Sequence, residues 1–192
     1  MEKKRIGLLY GITVLVALSA LLGVMISVPQ PVTNVYGQYI RHGGAFCVQL
    51  NKWTPDGYIQ GEEECSHNTL MNAGANLTLD LLTGRTGSTN VSWIAIGNGT
   101  DPTATSTTLN MERAENGLAR ALGTLTVITT GAIQNMSYNK VFTYTGTASQ
   151  IVNTSALFNA SSGGVMFIGN HFTDRTMQTN DQLNITAYFW TS

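Results

Sequence analysis

The groups in this sequence whose types and spacing bear on chemistry are three histidines, two cysteines, a run of three glutamates and a set of Asn-x-Ser/Thr triplets. His42, His67 and His171 stand far apart, and none forms a pair at metal-ligand spacing. His42 adjoins Gly43-Gly44 and His67 lies two residues from Cys65, so each reads as a turn or surface residue. Glu62-Glu63-Glu64 can hold Ca²⁺ only where further oxygens converge on it; a solvated hairpin end is the better reading. Gly97-Asn98-Gly99 lacks the third glycine and following helix of a dinucleotide loop and reads as a turn. No Gly-x-Ser-x-Gly elbow occurs, and Asp80, Asp174 and Asp181 have no acid–base partner at a recognisable spacing. No catalytic, cofactor-binding or metal-ligating residue is assigned, no cofactor is implied, and an enzyme is not expected.

The cysteines and the triplets carry more. If the chain is exported, Cys47 and Cys65 form one disulfide, worth about 3 kcal/mol through the loop-closure entropy it removes from the unfolded chain. The alternative is two buried thiols. Glycosylation triplets occur at Asn76, Asn90, Asn98, Asn135, Asn153, Asn159 and Asn184. That is more than the Asn and Thr richness of the chain gives by chance, and on an exported protein each is a candidate for a covalent N-glycan. Charged residues are only 11% of the 192 and the formal net charge is −1. A low-charge surface rich in Ser, Thr and Asn offers no electrostatic attraction to nucleic acid or anionic lipid, and little repulsion against self-association.

The elements that would position these groups are short and apolar-patterned. Strands are expected over residues 45–50, 91–96, 118–130, 141–144, 151–158, 165–172 and 183–190. Residues 51–61, with Pro55-Asp56-Gly57, read as a turn, and Gly163-Gly164 as another. One helix is expected over residues 72–82, with Ala73, Leu77, Leu81 and Leu82 at helical spacing and Gly84 as a C-terminal stop. Tyr188, Phe189 and Trp190 read as core on a final strand locked into a sheet. Short strands separated by Gly, Asn and Ser turns indicate an all-β antiparallel sandwich or jelly roll with one short helix and an N-terminal extension.

That extension is distinctive. Glu2-Lys3-Lys4-Arg5 precedes an uncharged run over residues 6–28, closed by Pro29-Gln30-Pro31. As a helix, the run crosses a hydrocarbon core with its basic flank on the cytoplasmic side. As a secretory signal, it has an apolar region over 6–18 and small residues Ala17, Ser19 and Ala20 at a cut site. A third option is a pilin-like signal cut after Lys4-Arg5-Ile6-Gly7, which keeps the apolar helix. In the second reading the mature chain begins with an apolar strand, because Leu22, Val24, Ile26 and Val28 recur at period two. A lone apolar strand needs a partner, and an open sheet edge on a neighbouring subunit supplies one by strand addition.

His67-Asn68-Thr69-Leu70-Met71-Asn72-Ala73-Gly74, followed by Ile94-Ala95-Ile96-Gly97-Asn98-Gly99-Thr100 and a Thr-rich loop to Leu109, resembles β-sandwich proteins of phage tails. Ala156-Leu157-Phe158-Asn159, Gly163-Gly164-Val165-Met166-Phe167 and Asp181-Gln182-Leu183-Asn184-Ile185-Thr186 continue the pattern. Behind a signal and a β-forming tail, the arrangement is similar to archaeal thread-filament (donor-strand pilus) subunits, from whose pattern the cysteine pair departs. The resemblance implies a glycosylated head joined to its neighbour by donor-strand complementation. The expected organisation is a signal peptide over 1–20 (or the start of a membrane anchor to 28), a donor strand and linker over 21–40, and a sandwich head over 41–192. The expected role is a homopolymeric extracellular, cell-surface filament for attachment or cell–cell contact, touching the membrane only during export. The competing expectation is a membrane-anchored monomeric surface or virion glycoprotein, and a carbohydrate-binding or hydrolytic module on the same sandwich is a third.

Overall fold

The computed structural model describes residues 42–84, 89–130 and 133–191. The signal segment and the donor positions Leu22, Val24, Ile26 and Val28 lie outside the described residues. In chain order the elements are β1 (His42–Thr54), β2 (Gly57–His67), β3 (Thr69–Leu70), α1 (Asn72–Leu82), β4 (Trp93–Gly97), β5 (Ala121–Leu122), β6 (Thr124–Thr130), β7 (Ile133–Thr143), β8 (Gln150–Phe158), β9 (Met166–Met177) and β10 (Gln182–Thr191). They form two five-stranded sheets, ordered β2-β1-β10-β7-β6 and β3-β9-β8-β4-β5, and every paired strand is antiparallel. The protein is an all-β sandwich with one short helix.

Period two in the sequence explains the layering. On β10, Leu183, Ile185 and Ala187 are fully buried, while Asn184, Thr186 and Tyr188 alternate onto the other face. Phe46 and Val48 of β1 and Phe142 of β7 share that inner face. Against them the second sheet sets Ile94 and Ile96, Val152 and Leu157, and Ile168, Phe172 and Met177. Each such side chain contributes about 1.5–3 kcal/mol on burial, so this one cluster dominates the stability of the fold.

A smaller cluster lies on the other face of the second sheet, where Met71, Leu109, Phe158 and Met166 pack with Trp93. Here α1 rests on β9. A Cβ at Gly74 would collide with the Phe167 carbonyl, so glycine sets the distance of closest approach. The helix ends as its sequence predicts, with Gly84 at a φ of +67° beyond the Thr83 cap. Its apolar stripe is narrower than expected: Leu77 is buried, but Leu81 and Leu82 are exposed. Only one turn of α1 meets the sheet closely enough to bury leucine.

Several strand boundaries differ from the sequence reading: β7 begins at Ile133 and not at 141, β9 runs on to Met177, and two further differences have identifiable reasons. Residues 51–54 and 57–61 are strand, and the turn shrinks to Pro55-Asp56; the apolar residues of this hairpin, Trp53, Tyr58 and Ile59, are themselves exposed and follow no alternation that marks a buried face. The expected strand over 118–130 breaks at Gly123, where the chain leaves the second sheet as β5 and enters the first as β6. Gly97 and Gly99 do not make a hairpin. They lie against residues 110–112, where a Cβ would come within 2.9 Å and 2.6 Å of the Asn110 carbonyl oxygen.

Candidate functional site

Of the groups with possible chemistry, the structure joins the two cysteines first. Cys47 and Cys65 are register partners on β1 and β2 and form a disulfide. Among the described residues, the one cluster of three metal-ligand side chains is Cys47, Glu63 and Cys65, and its thiols are consumed by that bond. Glu62-Glu63-Glu64 is not a hairpin end but the middle of β2. Glu64 accepts hydrogen bonds from Arg175 Nη2 at 2.8 Å and the Thr173 backbone N–H at 3.0 Å.

Two histidines that the sequence separates by more than a hundred residues meet in space. His67 and His171 line a polar hollow of about 210 Å³ together with Ser66, Asp101 and Asn170. His171 Nδ1 stands 3.7 Å from Asp101 Oδ1, and Ser66 donates to buried Asn170 at 2.9 Å. Asp181 has a structural post at the β1–β2 hairpin. Burial pushes its carboxyl up, but the Lys52 ammonium at 2.8 Å and the N–H groups of Gln178 and Trp53 outweigh burial and hold it below the usual carboxylate range.

The glycosylation triplets sort by exposure. Asn76 on α1, Asn90 and Asn135 on β7 are exposed. Asn98, Asn153, Asn159 and Asn184 are half-buried, and three of these are engaged. Asn153 Nδ2 donates to Asp174 Oδ1, Asn159 Oδ1 accepts from Val165 N–H, and Asn184 Oδ1 accepts from Asn139 Nδ2. Ser155, the hydroxyl residue of the Asn153 triplet, is wholly buried.

The terminal aromatics divide between faces. β10 lies inside its sheet between β1 and β7, as a locked C-terminal strand requires. Phe189 turns inward, with Tyr138 at 6.5 Å and Phe167 at 5.9 Å between ring centroids. Tyr188 and Trp190 point outward, against the expectation that all three are core, because consecutive strand residues alternate faces.

The sheet edges are the least uniform feature. β3 and β5 are two residues each, too short to template another strand. The flank of β4 beyond β5 is covered by residues 111–113: Asn98 N–H donates to Met111 and Arg113 N–H donates to Ile96. Arg120 secures this cover, with a two-point pair to Glu112 at 2.7–2.8 Å and its guanidinium 3.5 Å from the Phe158 ring centroid.

β6 has no such cover. It pairs with β7 along all seven residues, and among the described residues nothing pairs with its other side. Leu125 and Val127 sit opposite Tyr138 and Met136, on the face that elsewhere forms the core. Yet Leu125 is 49% exposed, Val127 54% and Met136 37%. The inner face of the first sheet therefore continues past the second sheet as an uncovered apolar strip. The strand expected over 118–130 contains Leu125 and Val127, but their exposure depends on the switch between sheets at Gly123.

The fold and site define a disulfide-bearing β-sandwich domain whose edge strand β6 is apolar and, among the described residues, has no partner on its outer side. No protein-family model matches the chain, and no curated protein matches it in sequence. Among the described residues, no helix is long and apolar enough to cross a membrane.

Proposed function

We propose that this protein is a structural, non-catalytic subunit of an extracellular filament for surface attachment or cell–cell contact, with a sandwich head completed by an N-terminal strand from the next copy. The observation that carries this reading is β6, a seven-residue strand paired with β7 on one side and, among the described residues, with nothing on the other, whose inward side chains Leu125 and Val127 stand about half in water. The segment from Leu22 to Val28 also spans seven positions, with apolar residues at period two and no charge. Added beside β6, it pairs the free backbone groups and lays its apolar row over the strip. Four such side chains contribute on the order of 6–12 kcal/mol before the cost of ordering the strand. A head that gives its tail to one neighbour and receives the tail of another makes a contact that does not close, and a fibre follows. Export, removal of residues 1–20 and N-glycans on a low-charge surface belong to the same reading.

The test is complementation in trans. A head lacking residues 1–28 stays monomeric under this proposal, and a synthetic peptide of residues 21–28 raises its melting temperature while a scrambled peptide does not. A head with the same melting temperature in both peptides refutes the donor strand. Intact mass of the mature protein separates the anchored alternative, which requires a chain that retains residues 1–20.

A further inference from the structure

We propose that the outer face of the first sheet is a sugar platform, on which the first rings of a glycan carried by Asn135 lie against Trp190 and Tyr188. This rests on the glycosylation in the reading above and is independent of the polymer. Asn135 on β7 is the register partner of Trp190 on β10, which brings their Cβ atoms to about 4.5–5.5 Å. Both line a shallow concavity of about 310 Å³ with Tyr188, Ser137, Thr126 and Ala45. Ser137 is two residues beyond Asn135, so the triplet turns its amide and its hydroxyl into the same hollow. Tyr188 and Trp190 are likewise two apart and share that face.

The composition of the hollow suits a pyranose. Tyr188 is 40% exposed, although it stands in the middle of a sheet, and the residues level with it on β1, β7 and β6 are small: Ala45, Ser137 and Thr126, with His67 of β2 beyond Ala45. Aromatic walls receive the C–H face of a sugar, and neighbouring hydroxyl and amide groups receive its edge. The other two strand triplets lack this setting. Asn153 is bonded to Asp174, and Asn184 has Gln49 and Val141 as register partners. Asn135 is the triplet whose exposed asparagine meets an aromatic pair.

The test is glycopeptide mass analysis and a melting-temperature cycle on protein from the native host. Asn135 is expected to be occupied. Ser137→Ala and Asn135→Gln, which each remove the glycan, are expected to lower the melting temperature by about 2–4 °C. The shift persists with Trp190→Phe, which keeps a ring, and vanishes with Trp190→Ala. Should Trp190→Ala not fold, Tyr188→Ser takes its place in the cycle and is expected to shrink the shift. Bare Asn135 with other triplets occupied overturns this platform and leaves the glycosylation reading standing. Seven bare triplets overturn both. An equal shift whether or not the aromatic is present overturns the stacking. Free oligosaccharide bound by Ser137→Ala as tightly as the attached glycan is held would make the face a receptor for foreign sugar and also overturn the proposal.

Discussion

The two edges of the first sheet are built on opposite principles. β2 (GYIQGEEECSH) carries three carboxylates, is stapled to β1 by the Cys47–Cys65 disulfide, and is tied to β9 by Glu64 and Arg175. β6 (TLTVITT) has no charge, no disulfide and no ion pair, and it shows apolar residues at the margin of the core. Charge on an edge strand repels a second chain, because pairing would strip water from carboxylates. A neutral, β-branched edge invites one. On the proposed reading this asymmetry would let strands add on one side and not the other, giving a head-to-tail polymer its direction.

Exchanging the character of the two edges tests their difference. Leu125→Lys with Val127→Lys places ammonium groups where the incoming strand must lie, and complete loss of polymer is expected by electron microscopy and sedimentation. Tyr58→Lys with Ile59→Lys on exposed positions of β2 is the matched control, expected to leave polymers intact. A result the other way round would move the acceptor to β2. Next in size, Cys47→Ser with Cys65→Ser is expected to lower head stability by about 3 kcal/mol in denaturant titration while polymers still form. Disappearance of polymer at full folding would show that the staple shapes the acceptor.

Asp181 gives a pH test of the hairpin that supports β2. Its carboxyl is held below its ordinary range, so its contribution to stability is full above pH 4 and is lost as pH falls through the depressed folded value. Asp181→Asn removes the charge, is expected to cost roughly 1–3 kcal/mol at neutral pH, and flattens the acid limb of the stability curve. The smallest effect is expected from Glu64→Gln: a half-exposed pair with Arg175 is worth about 0.5–1 kcal/mol, measurable only by a double-mutant cycle. A larger coupling would mean that Glu64 organises β9 and does more than guard an edge.

Much of the sandwich was legible because its core strands alternate. Leu183, Ile185 and Ala187 announce a buried face without help from tertiary structure, whereas Val152 and Leu157, an odd five residues apart, share the core only because β8 is bulged between Val152 and Thr154. The helix was legible from end to end, since Gly84 marks its stop as clearly as its leucines mark its length. The long polar hairpin was not, because residues 51–61 carry strand structure on side chains that face water and show no apolar period. The exposed edge at β6 was half legible. Leu125 and Val127 declare a strand, but only the crossing at Gly123 leaves them at the margin of the core. The outward aromatics were hidden by composition: Tyr188, Phe189 and Trp190 read as one apolar block, and the pleat sends two outward and one in.

The central claim is that the strand lying on β6 comes from another molecule. It is tested most directly by mixing two versions of the chain, one carrying Val24→Cys and the other Val127→Cys, under mild oxidation. The account expects a cross-link joining one chain of each kind, found by mass analysis of peptides containing both new cysteines. A double variant that links 24 to 127 within a single chain, with no link between the mixed chains, would contradict it and make the protein a self-capped monomer.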